Sequence, residues 1–127
     1  SDWSSDVCSS DLLLIREPSE LFAMRSDPIK RPALFAPIGA YLKALREAGV
    51  FVGGAGLEPP EATTTFVSDD GQGWRAQDGP YAETKEQLAG LIILNVTDHV
   101  EAVRWAKRCP AMPGRVLELR PNLVPLE

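Results

Sequence analysis

The chain has 127 residues, 44% of them hydrophobic and 24% charged, a mixture that folds as one domain around one core rather than as two domains or a disordered chain. A net charge of −5 repels phosphate backbones, so no direct nucleic-acid partner is expected. The longest apolar run, Leu91-Ile92-Ile93-Leu94, is far below the ~20 residues of a bilayer span, and two cysteines with one histidine make neither a disulfide framework nor a zinc set. The expectations are therefore a reducing cytoplasm, no membrane, no metal and no cofactor.

Residues 1–11, SDWSSDVCSSD, are Ser/Asp-rich and without period, and are expected to be a non-native or disordered leader. Residues 12–121 then form the domain, and 122–127 a tail. Within the domain, 12–16 reads as a buried strand. The stretch 19–36 is less regular: Ser19 suits the cap of a short helical turn, and Asp27-Pro28 reads as a turn. Arg25, Lys30 and Arg31 form a small basic cluster, read as a solvated loop. Pro37 fits the first turn of a helix whose apolar stripe is Ile38, Tyr41, Leu42 and Leu45, with Lys43, Arg46 and Glu47 opposite and Gly49 as its stop.

A second strand starts at Val50-Phe51-Val52. Gly53, Gly54 and Gly56 lack the spacing of a phosphate fingerprint and instead permit close strand packing beside a pocket, Gly54 being the close-approach residue. Residues 63–67 and 74–77 read as a hairpin around Asp69-Asp70-Gly71. Asp78-Gly79-Pro80 is another turn, 81–87 is loop-like, and 88–96 is the strongest strand. Asp98 and Glu101 hold the two capping-box positions of a helix running to about Arg108, with Ala102, Trp105, Ala106 and Cys109 as its apolar stripe. Residues 115–120 alternate as a last strand, which Pro121 ends.

Strand, helix, strand, hairpin, then strand, helix, strand is an α+β, ferredoxin-like sandwich with both helices on one sheet face. Yet residues 12–15, 50–52 and 91–94 are apolar on both alternating sides, which calls for a cover on the second face. A homodimer packed sheet to sheet is expected.

Three stretches resemble the YCII-related (DGPF-type) family: DGPYAETKEQLAG at 78–90, AGVFVGGAGLEPP at 48–60 with Thr63, Thr64 and Thr65 after it, and RCPAMPGRVLELRP at 108–121. The resemblance covers nearly all of 12–121. It implies a dimeric α/β barrel. Some relatives in the wider group resemble muconolactone isomerases or act as dehydrochlorinases on ring compounds, and many DGPF-type genes lie near extracytoplasmic sigma factors. Short YCII proteins are credited with a His–Asp pair, the histidine lying in an R-P-x-H-L context. Here the matching stretch is Arg31-Pro32-Ala33-Leu34-Phe35, and the histidine is absent.

Asp78, at a strand end, is the candidate catalytic acid/base; the plainer reading is a turn aspartate bonding its own backbone. Arg16, Tyr81, Glu83 and Lys85 are the candidate ligand-binding residues, with Lys85 or Arg16 as anion partner and the Tyr81 hydroxyl free for a ligand or a partner chain. The plainer reading of Glu83 and Lys85 is a solvated ion pair. Gly79 and Pro80, like Gly54, serve the turn and close backbone approach. His99 is read as a packed histidine bonded to backbone rather than a haem ligand. Two functions follow: a cofactor-independent isomerase, lyase or dehalogenase acting on a small cyclic or carboxylated compound, or a non-catalytic ligand-binding or regulatory module linked to a sigma-factor system.

Overall fold

The computed structural model describes residues 9–123. Four strands form an antiparallel sheet in the order β2-β5-β1-β6: β1 (Ser9–Pro18), β2 (Phe51–Gly56), β5 (Glu86–Val96) and β6 (Val116–Pro121). Helices α1 (Ser19–Ser26) and α2 (Arg31–Glu47) connect β1 to β2, and α3 (His99–Lys107) connects β5 to β6. Because β1 and β2 are both antiparallel to β5, they run parallel to each other without touching. The same holds for β5 and β6 across β1. Two interleaved split β-α-β units result, a mixed α+β arrangement compatible with the ferredoxin-like pattern. The hairpin β3 (Thr64–Val67) and β4 (Arg75–Asp78) is a separate two-stranded sheet inserted between β2 and β5.

Alternation decides which face each side chain takes. On β1, Leu13 and Ile15 point into the core with Ile92, Leu94 and Val96 of β5. Tyr41 and Leu45 of α2 and Ala102 of α3 close over them. Each fully buried leucine here contributes about 1.5–3 kcal/mol relative to an exposed one. The intervening residues Leu12, Leu14, Leu91 and Ile93 lie on the opposite face, half-buried by one another. On that face Val52 and Val116 are exposed, and Arg16 pairs with Glu118.

The ends of α3 follow its sequence. Asp98 Oδ1 accepts the Glu101 N–H at 2.9 Å. The Glu101 carboxylate reaches back to the Thr97 N–H at 2.7 Å and the Thr97 hydroxyl at 2.9 Å. Gly49 closes α2 at a φ of 73°, open to glycine without strain.

Four local expectations need correction. Helix α2 begins at Arg31, so Pro32 takes the first turn and Pro37 lies inside the helix. Pro37 and Ala33, four residues before it, are both exposed, so water can serve the carbonyl that lacks its N–H partner. The supposedly irregular stretch is mostly helical: α1 is joined to α2 by a turn in which Asp27 accepts the Ile29 N–H on its side chain (2.9 Å) and the Arg31 N–H on its carbonyl (2.8 Å). Ser19 is the first helical residue rather than a cap, and its hydroxyl bonds Glu20. Strand β5 starts at Glu86, taking in Glu86 and Gln87.

The boundary expected at residue 11 falls inside β1, where Ser10 and Asp11 are buried. The rest of that segment, 1–8, lies outside the described residues, as does 124–127 of the expected tail. Asn122 binds β1 through its N–H, to the Ser10 carbonyl at 2.8 Å, and through its side chain, to the Ser10 hydroxyl at 3.0 Å. Among the described residues no helix is long and apolar enough to cross a membrane.

Candidate functional site

The parity that sends Leu13 and Ile15 inward sends Glu17 inward as well, and its side chain is 1% exposed. A carboxylate so buried must be paired. Arg25 of α1 reaches Oε1 with Nη2 at 3.1 Å. Arg115, just before β6, brings both Nε and Nη2 to Oε2 at 2.7 Å. The Nη1 atoms of both arginines are tied to backbone. Arg115 Nη1 donates to the Pro110 carbonyl at 2.7 Å, and Arg25 Nη1 donates to the Leu57 and Ala89 carbonyls at 2.6 and 3.1 Å. The Ala89 carbonyl also accepts the Leu57 N–H at 2.8 Å, and Ala89 is the extra residue of a bulge where the β1–β5 register slips between Ile15 and Arg16. One carboxylate thus balances two guanidinium groups, and Arg25 Nε is buried with no partner among the described residues.

Beside this cluster is a cavity of about 660 Å³, within the range of small-molecule sites. Its floor is sheet: Ile15, Ile92 and Gly54. One wall is a single stripe of α2, with Leu34, Phe35, Ile38 and Leu42 between Arg31 and Arg46, and the rim is Leu57, Glu58 and Pro59. Arg31 Nε donates to the Arg25 carbonyl at 2.6 Å, and Arg46 lies over the Phe51 ring, 4.7 Å from its centre. Neither forms an ion pair among the described residues. Four arginines face two glutamates, so the cavity is electropositive within an acidic chain.

Gly54 lies on β2 where that strand pairs with β5. It lines this cavity, and a Cβ there would sit 2.7 Å from the Leu91 carbonyl. Pro80, Glu83 and Lys85 come together elsewhere, in a second groove of about 420 Å³ formed with α1 and Pro59-Pro60. The two spaces share Glu17, Ser26 and Pro59. Lys85 and Glu83 are both exposed and form no ion pair with each other. Asp78 ends β4 exposed, paired in register with Thr64, and lines neither space. Tyr81 is 77% exposed and lines neither. Arg16 is on the far face of the sheet, paired with Glu118. Gly79 carries a φ of 87° and donates its N–H to the Thr63 carbonyl at 2.7 Å, while its carbonyl accepts the Thr65 hydroxyl at 2.6 Å, so the turn closes the hairpin.

The model of the YCII-related domain matches residues 13–121. The chain belongs to the YCII-related family. A search of the curated proteins finds no match. In this YCII-related chain Leu34 stands where the histidine of the R-P-x-H-L pattern would be, and it is buried on the cavity wall. The basic cluster read as a solvated loop is corrected in part: Arg25 is part-buried on α1 against Glu17, while Lys30 and Arg31 are exposed, Arg31 at the mouth of the cavity as the first residue of α2. Arg46, assigned to the solvent side of α2, lines it too. Parity was the signal for Glu17: an acid two residues beyond Leu13 and Ile15 on a core-facing edge demands cations from elsewhere in the chain.

The reading of His99 also changes. Its Nδ1 lies 2.8 Å from Asp11 Oδ2, a buried carboxylate rather than backbone, and the imidazole is half-exposed. The other Asp11 oxygen is buried with no partner among the described residues. Cys109 and Tyr41 are core groups away from the cavity. Burial pushes the Cys109 thiol up, which keeps it protonated and unreactive. Burial also raises the Tyr41 phenol, whose hydroxyl donates to the Trp105 carbonyl at 2.7 Å. Among the described residues no three His, Cys, Asp or Glu side chains gather as a metal set.

Proposed function

We propose that this YCII-related domain binds a small, partly apolar molecule in the cavity beneath α2, and that it does so without general acid/base chemistry from Asp78. The observation that carries this reading is the composition of the cavity wall. Its carboxylates are Glu17, fully engaged by two arginines, and Glu58 at the rim, and the position for an imidazole is Leu34. A proton-transfer group within hydrogen-bond reach of a bound carbon acid is what catalysis would need. A screen of metabolites by melting shift, followed by a search for product, tests it. Ligands raise Tm with no product formed, and Leu34→Trp, which fills the cavity, removes the shift. Product formation that Asp78→Asn abolishes would instead establish the isomerase, lyase or dehalogenase reading. That second reading has one support, the continuity of the cavity with the groove that holds Glu83 and Lys85.

The working unit in this proposal is a homodimer. Leu12, Leu14, Leu91 and Ile93 form an apolar strip on the sheet face without helices, flanked by exposed Val52 and Val116. A second sheet is the simplest cover for it. Light scattering after gel filtration should give twice the chain mass, and Leu14→Asp should give the single-chain mass. A wild type that remains monomeric at high micromolar concentration would end this part of the proposal.

A further inference from the structure

We infer that the ligand of the α2 cavity is an elongated organic monocarboxylate, held by its charged end at Arg31 and Arg25 with its apolar body lying along Leu34, Ile38 and Leu42. The inference rests on the binding reading above and adds the ligand's charge, shape and orientation.

Three observations carry it. First, the cavity follows one stripe of α2 from its first residue to its last turn, so Arg31 and Arg46 are separated by about 22 Å of helix axis. Such a trough suits a long ligand rather than a compact one. Second, the two ends differ. At the Arg46 end a single guanidinium lies over Phe51, as Arg25 lies over Phe22, whereas the other end brings two arginines together. At the other end Arg31 spends only Nε, on the Arg25 carbonyl, leaving its two terminal nitrogens without an ion-pair partner among the described residues. Beside it Arg25 has a buried Nε with no partner among the described residues and shares the single Glu17 charge with Arg115. The surplus positive charge therefore collects where two guanidinium groups adjoin. Third, the planar fork of an arginine matches a carboxylate in two parallel hydrogen bonds, and the apolar residues between the ends offer nothing to a second polar group.

Calorimetric titration of the full chain with octanoate, octanamide and acetate tests this. Octanoate should bind, octanamide about tenfold more weakly or worse, and acetate not measurably, since it lacks the body that fills the trough. Arg31→Gln should lower octanoate to the level of octanamide, Arg31→Lys should restore part of the difference, and Arg46→Gln should change either by less than about threefold. Equal affinity for octanoate and octanamide, or an Arg31→Gln protein that still prefers the acid, would overturn the carboxylate while leaving the cavity in use. A preference abolished by Arg46→Gln alone would overturn the orientation. If neither eight-carbon compound binds and Leu34→Trp has no effect on any metabolite shift, the binding reading itself fails.

Discussion

The cavity under α2 and the turn at Asp78-Gly79-Pro80 divide the molecule's information between them. The turn lies in the stretch that most strongly resembles the family, yet Asp78 is exposed and the turn's bonds are local, Gly79 to Thr63 and Thr65. The cavity is assembled from residues far apart in the chain, Glu17, Arg25 and Arg115 among them, and it holds the buried charge. A distinctive string can thus mark where backbone geometry is demanding, while a buried charge cluster is assembled where no short string could announce it.

The comparison breaks most visibly if the charge cluster is dispensable. Glu17→Gln leaves two part-buried arginines facing a neutral amide, and the expected loss is about 3 kcal/mol in urea unfolding. A loss below about 1 kcal/mol would mean that the cluster is solvated and the cavity wall soft. Next comes Gly54→Ala, whose Cβ would meet the Leu91 carbonyl at 2.7 Å. Backbone cannot swing aside like a flexible side chain, so about 1–3 kcal/mol should be lost as β2 and β5 are pushed apart.

Tyr41→Phe removes the hydroxyl bonded to Trp105, for about 1 kcal/mol at neutral pH. It should also change the alkaline limb. Tyr41 and Cys109 hold their protons more tightly folded than unfolded, so their contribution is full below the ordinary values of 10.0 and 9.0 and is lost as pH rises through the higher folded ones. The wild type should therefore lose stability above about pH 9, and Tyr41→Phe should lose less; identical pH profiles would refute the assignment. Smallest of all, Asp78→Asn should stay within ~0.5 kcal/mol of wild type and leave ligand-induced melting shifts unchanged.

Strands and the second long helix were legible because their signals are local. Val116 to Leu119 alternate, Asp98 and Glu101 stand three apart, and Gly49 and Gly71 sit where positive φ is needed. The stretch from Ser19 to Ala36 was misread because Pro28, Pro32 and Pro37 suggest breaks, and a proline's effect depends on whether its helix neighbour is wet, which sequence does not record. For the candidate site the sequence offers only partial signals, a glycine run at Gly53-Gly54 that allows close strand packing and an acid at the end of the first strand. Glu17 was readable from parity, but its partners were not: which arginines fold back onto it depends on the bulge at Ala89 and on how α1 and β6 flank the first strand.

That flanking carries a consequence for biosynthesis. The opening strand of this sheet is hydrogen-bonded to the closing one, and Glu17 is gripped by Arg25 early in the chain and by Arg115 near its end. A nascent polypeptide leaving the ribosome can wind its helices, but it cannot pair that carboxylate fully or complete the cavity wall until Arg115 has emerged from the exit tunnel. The sheet is therefore complete only once β6 and Arg115 can reach β1, a long-range pairing whose loop-closure cost precedes its reward.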